Sequence, residues 1–308
     1  MESERVPNTD FRRAMRWYVR RGRSMLEQLG VLPPPAHIPL VPQFSAAEAA
    51  RVHAALRLLA PCDVVGTGKI RIGGQLDGGY VLVDQLDPRQ PVLSIGIGPS
   101  VTFDTEMAER GHVLHLYDHT IETLPGDHPS FTWEKIGVAP ETDPARNMRS
   151  LADMAARLPQ TGCDPILKMD VENAEWAVLA ATPPAVLRQF AQITIELHQL
   201  LSLHQTAFNT LAVQALRHLT QDFAVVHVHG NNFSPLGTSG GFTVSRTLEL
   251  TLVRRDLVRT APNTTWYPTA LDTPNWEDCP DYNLWFFPFA PGSENLTLPD
   301  SAPLVSQG

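Results

Sequence analysis

From about Val64 to Val253 the chain alternates short apolar runs with helical or turn segments, the pattern of a parallel sheet covered on both faces. Seven runs predict strands: Pro91–Ile97, Val113–Asp118, Thr132–Val138, Pro165–Asp170, Gln192–Leu197, Ala224–His229 and Thr247–Val253. Helical connections are expected between the first four strands and again at Gln205–Leu219. Gly230 to Gly241, rich in Gly, Asn, Ser and Pro, reads as a loop. Ligands of open α/β sheets sit outside the carboxyl ends of the strands, so Gly96, Asp118, Asp170, Glu196 and His229 are expected around one crevice.

Ahead of this body, Phe11, Ala14, Tyr18, Met25 and Leu29 form a near-helical stripe with arginines 12, 13, 16, 20, 21 and 23 around it. Such a basic amphipathic helix reads as a docking helix with solvated arginines, or as a contact for an anionic surface, glycan or partner. Pro33 to Pro35 forms a linker, and Ser45 with Glu48 gives a capping-box signature for a helix over 45–59 that must stop near Pro61. Beyond Thr260 the chain is crowded with Pro, Trp, Asp and Asn. Trp266, Trp276, Trp285, Phe286 and Phe287 predict a tail wrapped on the body. The expected division is an N-terminal helical extension over 1–62, a catalytic domain over 63–258 and a wrapping tail over 259–308.

Composition narrows the function. The 308 residues carry a formal net charge of −9, which disfavours a nucleic-acid partner and favours a small acceptor. No stretch approaches the ~18–20 uninterrupted apolar residues of a spanning helix, and no signal-peptide pattern opens the chain, so a cytoplasmic protein is expected. Cys62, Cys163 and Cys279 stand far apart and predict free thiols.

The first chemical motif is Leu93-Ser94-Ile95-Gly96-Ile97-Gly98, a buried strand running into two glycines that let backbone approach a ligand. Asp118 follows about 20 residues later at the end of the next strand, the spacing of a carboxylate that accepts from ribose hydroxyls. The candidate nucleoside pocket is Gly96, Ile97, Gly98, Asp118 and His119. A dinucleotide fingerprint wants a third glycine where Val101 stands, which favours S-adenosylmethionine over NAD.

The second motif is Ile166-Leu167-Lys168-Met169-Asp170-Val171-Glu172-Asn173-Ala174-Glu175-Trp176, a strand ending in Asp170 with two further carboxylates before a helical turn. Glu196 and His198 share one face of the next strand by its period of two. With Asp170 they make a carboxylate, carboxylate and imidazole cluster that can act as general base, with His198 preferred, or hold a divalent metal such as Mg²⁺. Sequence leaves both open. Glu172 and the strand-to-loop residues His229 and Asn232 are candidate substrate contacts, and His227 with His229 also has the i, i+2 spacing of a metal pair.

The glycine-turn strand and the Asp170–Trp176 motif together resemble the FkbM-like class I methyltransferases, whose fourth strand ends in a D-x-E-G-A-E-like motif. The resemblance extends to Lys69-Ile70-Arg71-Ile72-Gly73-Gly74, Asp77-Gly78-Gly79-Tyr80 and Leu271-Asp272-Thr273-Pro274-Asn275, and departs at Asn173, where relatives usually have glycine. It implies a Rossmann-like fold with a seven-stranded, mostly parallel sheet ending in an antiparallel hairpin. It also implies S-adenosylmethionine as cofactor, Arg71 and Gly79 near the methionine carboxylate, and a hydroxyl of a sugar or glycosylated natural product as acceptor. Proteins of this type are often homo-oligomers, although no heptad or exposed apolar helix shows that here. The competing readings are a nicotinamide-dependent oxidoreductase, which lacks a Tyr-x-x-x-Lys pair in this chain, and a catalytically silent scaffold.

Overall fold

The structure, a computed structural model, describes residues 44–296. The arginine-rich helix expected over Phe11–Leu29 and the Pro33–Pro35 linker lie outside them. Helix α1 (Ala46–Arg57) carries the predicted capping box: the Ser45 hydroxyl accepts from the Glu48 N–H, and the Glu48 carboxylate accepts from the Ser45 N–H. Its Val52, Ala55 and Leu56 enter the main core.

After α1 come β1 (Cys62–Val65), β2 (Lys69–Ile72), β3 (Tyr80–Val83) and β4 (Val92–Ile95), then α2 (Thr102–Glu109), β5 (Leu114–Tyr117) and β6 (Phe131–Glu134). Next are β7 (Gly137–Ala139), β8 (Met148–Ser150), α3 (Leu151–Ala155), β9 (Ile166–Met169), α4 (Glu175–Ala181), α5 (Pro184–Leu187) and β10 (Gln192–Leu197). The chain continues through α6 (Thr206–Asp222), β11 (Phe223–Gly230), β12 (Leu236–Ser239), β13 (Phe242–Ser245), β14 (Leu248–Arg254) and β15 (Arg259–Pro262).

The central sheet has seven strands in the order β11-β14-β10-β9-β4-β5-β6. Strands β10, β9, β4, β5 and β6 run parallel, and β14 is antiparallel to both β10 and β11. This is a Rossmann-like sheet, in which the antiparallel strand β14 is inserted between β10 and β11. Apolar clusters cover both faces, one fed by α1 and α3 to α6, the other by β2, β3 and α2. Burial on both sides is why β4, β9, β10 and β14 read as nearly continuous apolar runs.

Three connections differ from the sequence expectation. No helix links β5 to β6, where Pro125, Gly126 and Pro129 break any helical run. The strand expected over Thr132–Val138 divides at Lys135, and its second part pairs with β8 outside the main sheet. The loop expected over Gly230–Gly241 contains β12, which pairs with β13; Gly240 and Gly241, at φ +53° and +87°, form the two-residue hairpin turn.

The tail joins the body through β15, which pairs with β1, and through Tyr267, Leu284, Phe287 and Phe289 in the main core. Trp266 and Trp285, expected to drive this wrapping, instead stay 53% and 60% exposed in a T-shaped pair. No helix among the described residues is long and apolar enough to cross a membrane.

Candidate functional site

Strand register brings the sequence-distant polar residues to one level. Ile95, Tyr117, Met169 and Ile195 are partners across β5, β4, β9 and β10. The next residues along those parallel strands are Gly96, Asp118, Asp170 and Glu196. The antiparallel ladders extend the row, since Glu196 pairs with Glu249 on β14 and Glu249 with His229 on β11. The chain leaves β4 for β5 on one side and reaches β9 on the other, so the row crosses the topological switch point where such sheets bind ligands.

On the β4 side the glycine turn is tightly fixed. Gly96 has φ +79°, and a Cβ there would lie 1.6 Å from the carbonyl oxygen of Asp170. The carbonyl of Gly96 accepts from the ammonium of Lys168, a buried cation on β9. Asp118 Oδ2 accepts from the N–H groups of Ile97 (2.8 Å) and Gly98 (3.0 Å), while Oδ1 accepts from the Thr120 N–H and hydroxyl at 2.7 and 2.6 Å. Burial pushes the Asp118 carboxyl up, but the Gly98 N–H and the other donors outweigh it and hold it below its ordinary value. A ribose at this carboxylate would have to replace some of those bonds. Gly98, by contrast, has φ +60° and no atom within 4 Å of a Cβ position, so it faces open space. The exposed His119 ring lies against Gly137.

Arg71, which the resemblance sets near the methionine carboxylate, bonds to the backbone of its own loop. Its Nε and Nη2 donate to the carbonyls of Gly74 (2.9 Å) and Leu76 (3.0 Å), and a Cβ on Gly79 would lie 2.6 Å from Nη2. The guanidinium holds its own loop shut, and Gly79 makes room for it. An open groove of about 770 Å³ beside this loop is lined by Gly73, Gly74, Ser100, Val101, Thr102 and Glu106, among others. It contains none of the cluster residues, so the chemistry is placed by the row of strand ends.

Asp170, Glu196 and His198 meet: one ligand atom from each lies within 4.8 Å of the others. His198 Nδ1 is 3.2 Å from Glu175 Oε1, which also accepts the His198 backbone N–H at 2.7 Å. That contact turns Nε2 toward Glu172 Oε2 (3.4 Å) and Glu196 Oε2 (3.5 Å). Trp176 fixes the same segment by donating its indole N–H to the His198 carbonyl at 2.8 Å. Burial lowers the His198 pKa, yet the Glu175 bond and the surrounding carboxylates raise it overall. Burial also drives the Glu196 carboxyl far above the carboxylate range, helped by Asp170 and Glu249. Asn231 donates to Glu196 Oε1 at 2.5 Å, and the Tyr80 hydroxyl donates to Asp170 Oδ2 at 3.3 Å.

The turn after β9 explains Asn173. Glu172 and Asn173 take φ +50° and +83°, the left-handed region that glycine adopts freely and asparagine tolerates better than most residues. This backbone lifts Glu172, with a side chain 82% exposed, over His198.

His229 and Asn232, the expected substrate contacts, are both engaged by protein partners. His229 is 2% exposed; Nδ1 bonds Glu249 at 2.9 Å and Nε2 bonds both Asp281 oxygens at 3.0 Å. Asn232 donates to the carbonyls of Trp276 and Cys279 and accepts the Trp276 N–H. His227 and His229 do not form a metal pair, because His227 Nε2 is taken by Asp272 at 2.8 Å. These three residues clasp the tail. The clasp brings in Asn275, whose amide donates to Asp77 (3.1 Å) and to Glu249.

Sequence reasoning missed Glu249, Lys168, Glu175 and Tyr80 as members of this constellation. A charged residue within an otherwise apolar strand was the available signal for Glu249 and Lys168. Nothing local marks Tyr80, which arrives from a separate hairpin.

No family model and no curated protein matches the chain. Solved structures similar to it include a fibrillarin/Nop5p complex, at 10% identity over 55% of this chain and 74% of that one, with a TM-score of 0.34. Another is the N-methyltransferase NodS from Bradyrhizobium japonicum WM9, at 9% identity over 67% and 96% of the two chains, with a TM-score of 0.31. A third is CalO1, a methyltransferase in calicheamicin biosynthesis in its SAH-bound form, at 12% identity over 68% and 54%, with a TM-score of 0.27.

Proposed function

We propose that this protein is an S-adenosylmethionine-dependent O-methyltransferase acting on a hydroxyl of a saccharide or glycosylated small molecule. The observation that carries the reading is the Asp170, Glu196 and His198 cluster set in register beside an open glycine turn at the switch point of this sheet. A hydroxyl acceptor needs its proton removed, and a row of buried acceptor atoms meets that need.

When bound, S-adenosylmethionine supplies an electrophilic sulfonium methyl, so the chain's task is to align an acceptor oxygen and take its proton. Gly98 leaves room for a ligand beside β4, and Asp118 holds the turn that shapes that room. His198 is kept by Glu175 in the orientation that presents Nε2 to the cluster, where it serves as base for the hydroxyl proton or, with a cation bound, as that cation's ligand. Glu172 lies 3.4 Å away and passes that proton to solvent. The saccharide class rests on the resemblance and agrees with a pocket rich in acceptors, which suits a ligand rich in hydroxyl donors.

The test is thermal stability with saturating S-adenosylhomocysteine and with NADH, followed by transfer of labelled methyl to a panel of saccharides. A ligand that binds only the folded state raises the melting temperature. The expected result is a rise with the adenosyl ligand alone and label on an oxygen. A rise with NADH alone, or with neither, overturns the reading.

A further inference from the structure

We propose that Asp170, Glu196 and His198 hold a divalent cation, which deepens the reading above but stands on these residues independently of the methyl donor. Three lone-pair-bearing atoms, from two carboxylates and an imidazole, converge within 4.8 Å. Among the described residues, none of the lysine and arginine ion pairs involves Asp170, Glu196 or Glu249. Lys168, the buried cation nearest in sequence, is bonded to the Gly96 carbonyl. At the Asp170 and Glu196 end of the row, therefore, no lysine or arginine among the described residues pairs with either carboxyl group; the row's imidazole at the far end, His229, is taken by Glu249 and Asp281.

Two further observations point to a metal rather than to acidic side chains that happen to be neighbours. Glu175 is fully buried, holds His198 Nδ1 with one oxygen, and has no partner for the other. A carboxylate behind a histidine fixes the tautomer, aims the opposite nitrogen and raises its basicity, which is how metal-ligating histidines are supported. Asp170 Oδ1 is also buried and unpartnered, although Oδ2 accepts from Tyr80. Likewise Asn231 occupies Glu196 Oε1, while Oε2 is the oxygen 3.5 Å from His198 Nε2. Each ligand thus has one atom held by a protein partner, and one atom from each converges within 4.8 Å.

Carboxylates with one imidazole and no thiol suit Mn²⁺ or Mg²⁺, ions of higher coordination number that leave positions open for an acceptor oxygen. In this arrangement His198 would be a ligand, and the bound cation would lower the pKa of the acceptor hydroxyl. The hydroxyl proton goes to Glu172 and then to solvent, the new carbon–oxygen bond forms as the carbon–sulfur bond breaks, and a neutral thioether leaves.

Mn²⁺ titration followed by electron paramagnetic resonance and calorimetry tests the proposal on the full chain, with Glu196→Gln, His198→Ala and Glu175→Gln as variants. The expected result is one Mn²⁺ per chain, bound at least about tenfold more weakly in the first two variants and about 10- to 100-fold more weakly in Glu175→Gln. Thermal melting establishes that each variant is folded, and Glu196→Gln changes no volume. No Mn²⁺ bound by the wild type, as for a site that merely shares a proton between Asp170 and Glu196, overturns the proposal. So does Mn²⁺ binding that the folded variants leave unchanged. S-adenosylhomocysteine shifts measured on the same samples separate the two readings. A shift without Mn²⁺ binding removes only the cation, and Mn²⁺ binding without a shift removes only the methyl donor.

Discussion

One oxygen of Glu175 accepts both the backbone N–H of His198, at 2.7 Å, and its ring Nδ1, at 3.2 Å. One buried carboxylate on the first turn of α4 therefore ties the ring orientation to the strand end, which Trp176 also holds through the His198 carbonyl. Because Glu175 lies behind the ring, it acts as a positioning residue.

Replacing Glu175 by Gln is expected to lower kcat at least about tenfold while leaving the KM for S-adenosylmethionine and the S-adenosylhomocysteine shift near the wild-type values. Steady-state kinetics check this. Loss of cofactor binding alongside kcat would assign Glu175 to general packing instead.

Gly96 and Gly98 are expected to respond differently to alanine. A Cβ on Gly96 meets backbone at 1.6 Å, which no rotamer change relieves, so Gly96→Ala should destabilise the fold by about 3 kcal/mol or more. Gly98→Ala meets open space and should cost only the left-handed backbone penalty of about 1–2 kcal/mol, while weakening the adenosyl ligand. Urea unfolding and ligand-induced melting shifts, measured on both variants, distinguish the effects. Equal stabilities would contradict the close approach at Asp170.

How much of this was legible beforehand depends on distance along the chain. The seven strands were readable because each is a short apolar run, and the row through Gly96, Asp118, Asp170 and Glu196 followed from where those runs end. The tail contacts of His229 and Asn232 are not legible in the sequence, because their partners, Asp281 and the Trp276–Cys279 backbone, lie more than 40 residues away in a segment with no periodic pattern. Likewise, no sequence pattern announces that Arg71 bonds to the carbonyls of Gly74 and Leu76 in its own loop. Alternation fixes which face a side chain takes; it does not say which of several polar partners reaches it first.

Asn173 offers a test of the turn that follows β9. At φ +83°, Asn173→Gly should be neutral or stabilising by up to about 1 kcal/mol, and Asn173→Ala should destabilise by about 1–2 kcal/mol. Chemical unfolding of the two variants checks this. The opposite order would mean that the asparagine side chain, rather than its backbone tolerance, is what the turn requires.

The tail clasp should depend on pH through His229. Burial lowers its pKa, but the Glu249 charge and the hydrogen bonds to Asp281 and Glu249 outweigh it and lift the value to about 10. Asp272 adds to the rise. Since an unfolded imidazole titrates near ~6.5, the folded state retains a proton that the unfolded chain releases. The stabilisation is complete below that value and is lost as pH climbs toward about 10. Over that window the slope reaches about 1.4 kcal/mol per pH unit at most. Wild type minus His229→Gln isolates the contribution from cysteines, tyrosines and lysines that titrate in the same range. Urea unfolding at several values across the window should show this difference shrinking as the solution becomes more alkaline. A difference that stays constant would mean that His229 is neutral in the fold, and that the Glu249 and Asp281 contacts hold the tail without an imidazolium between them.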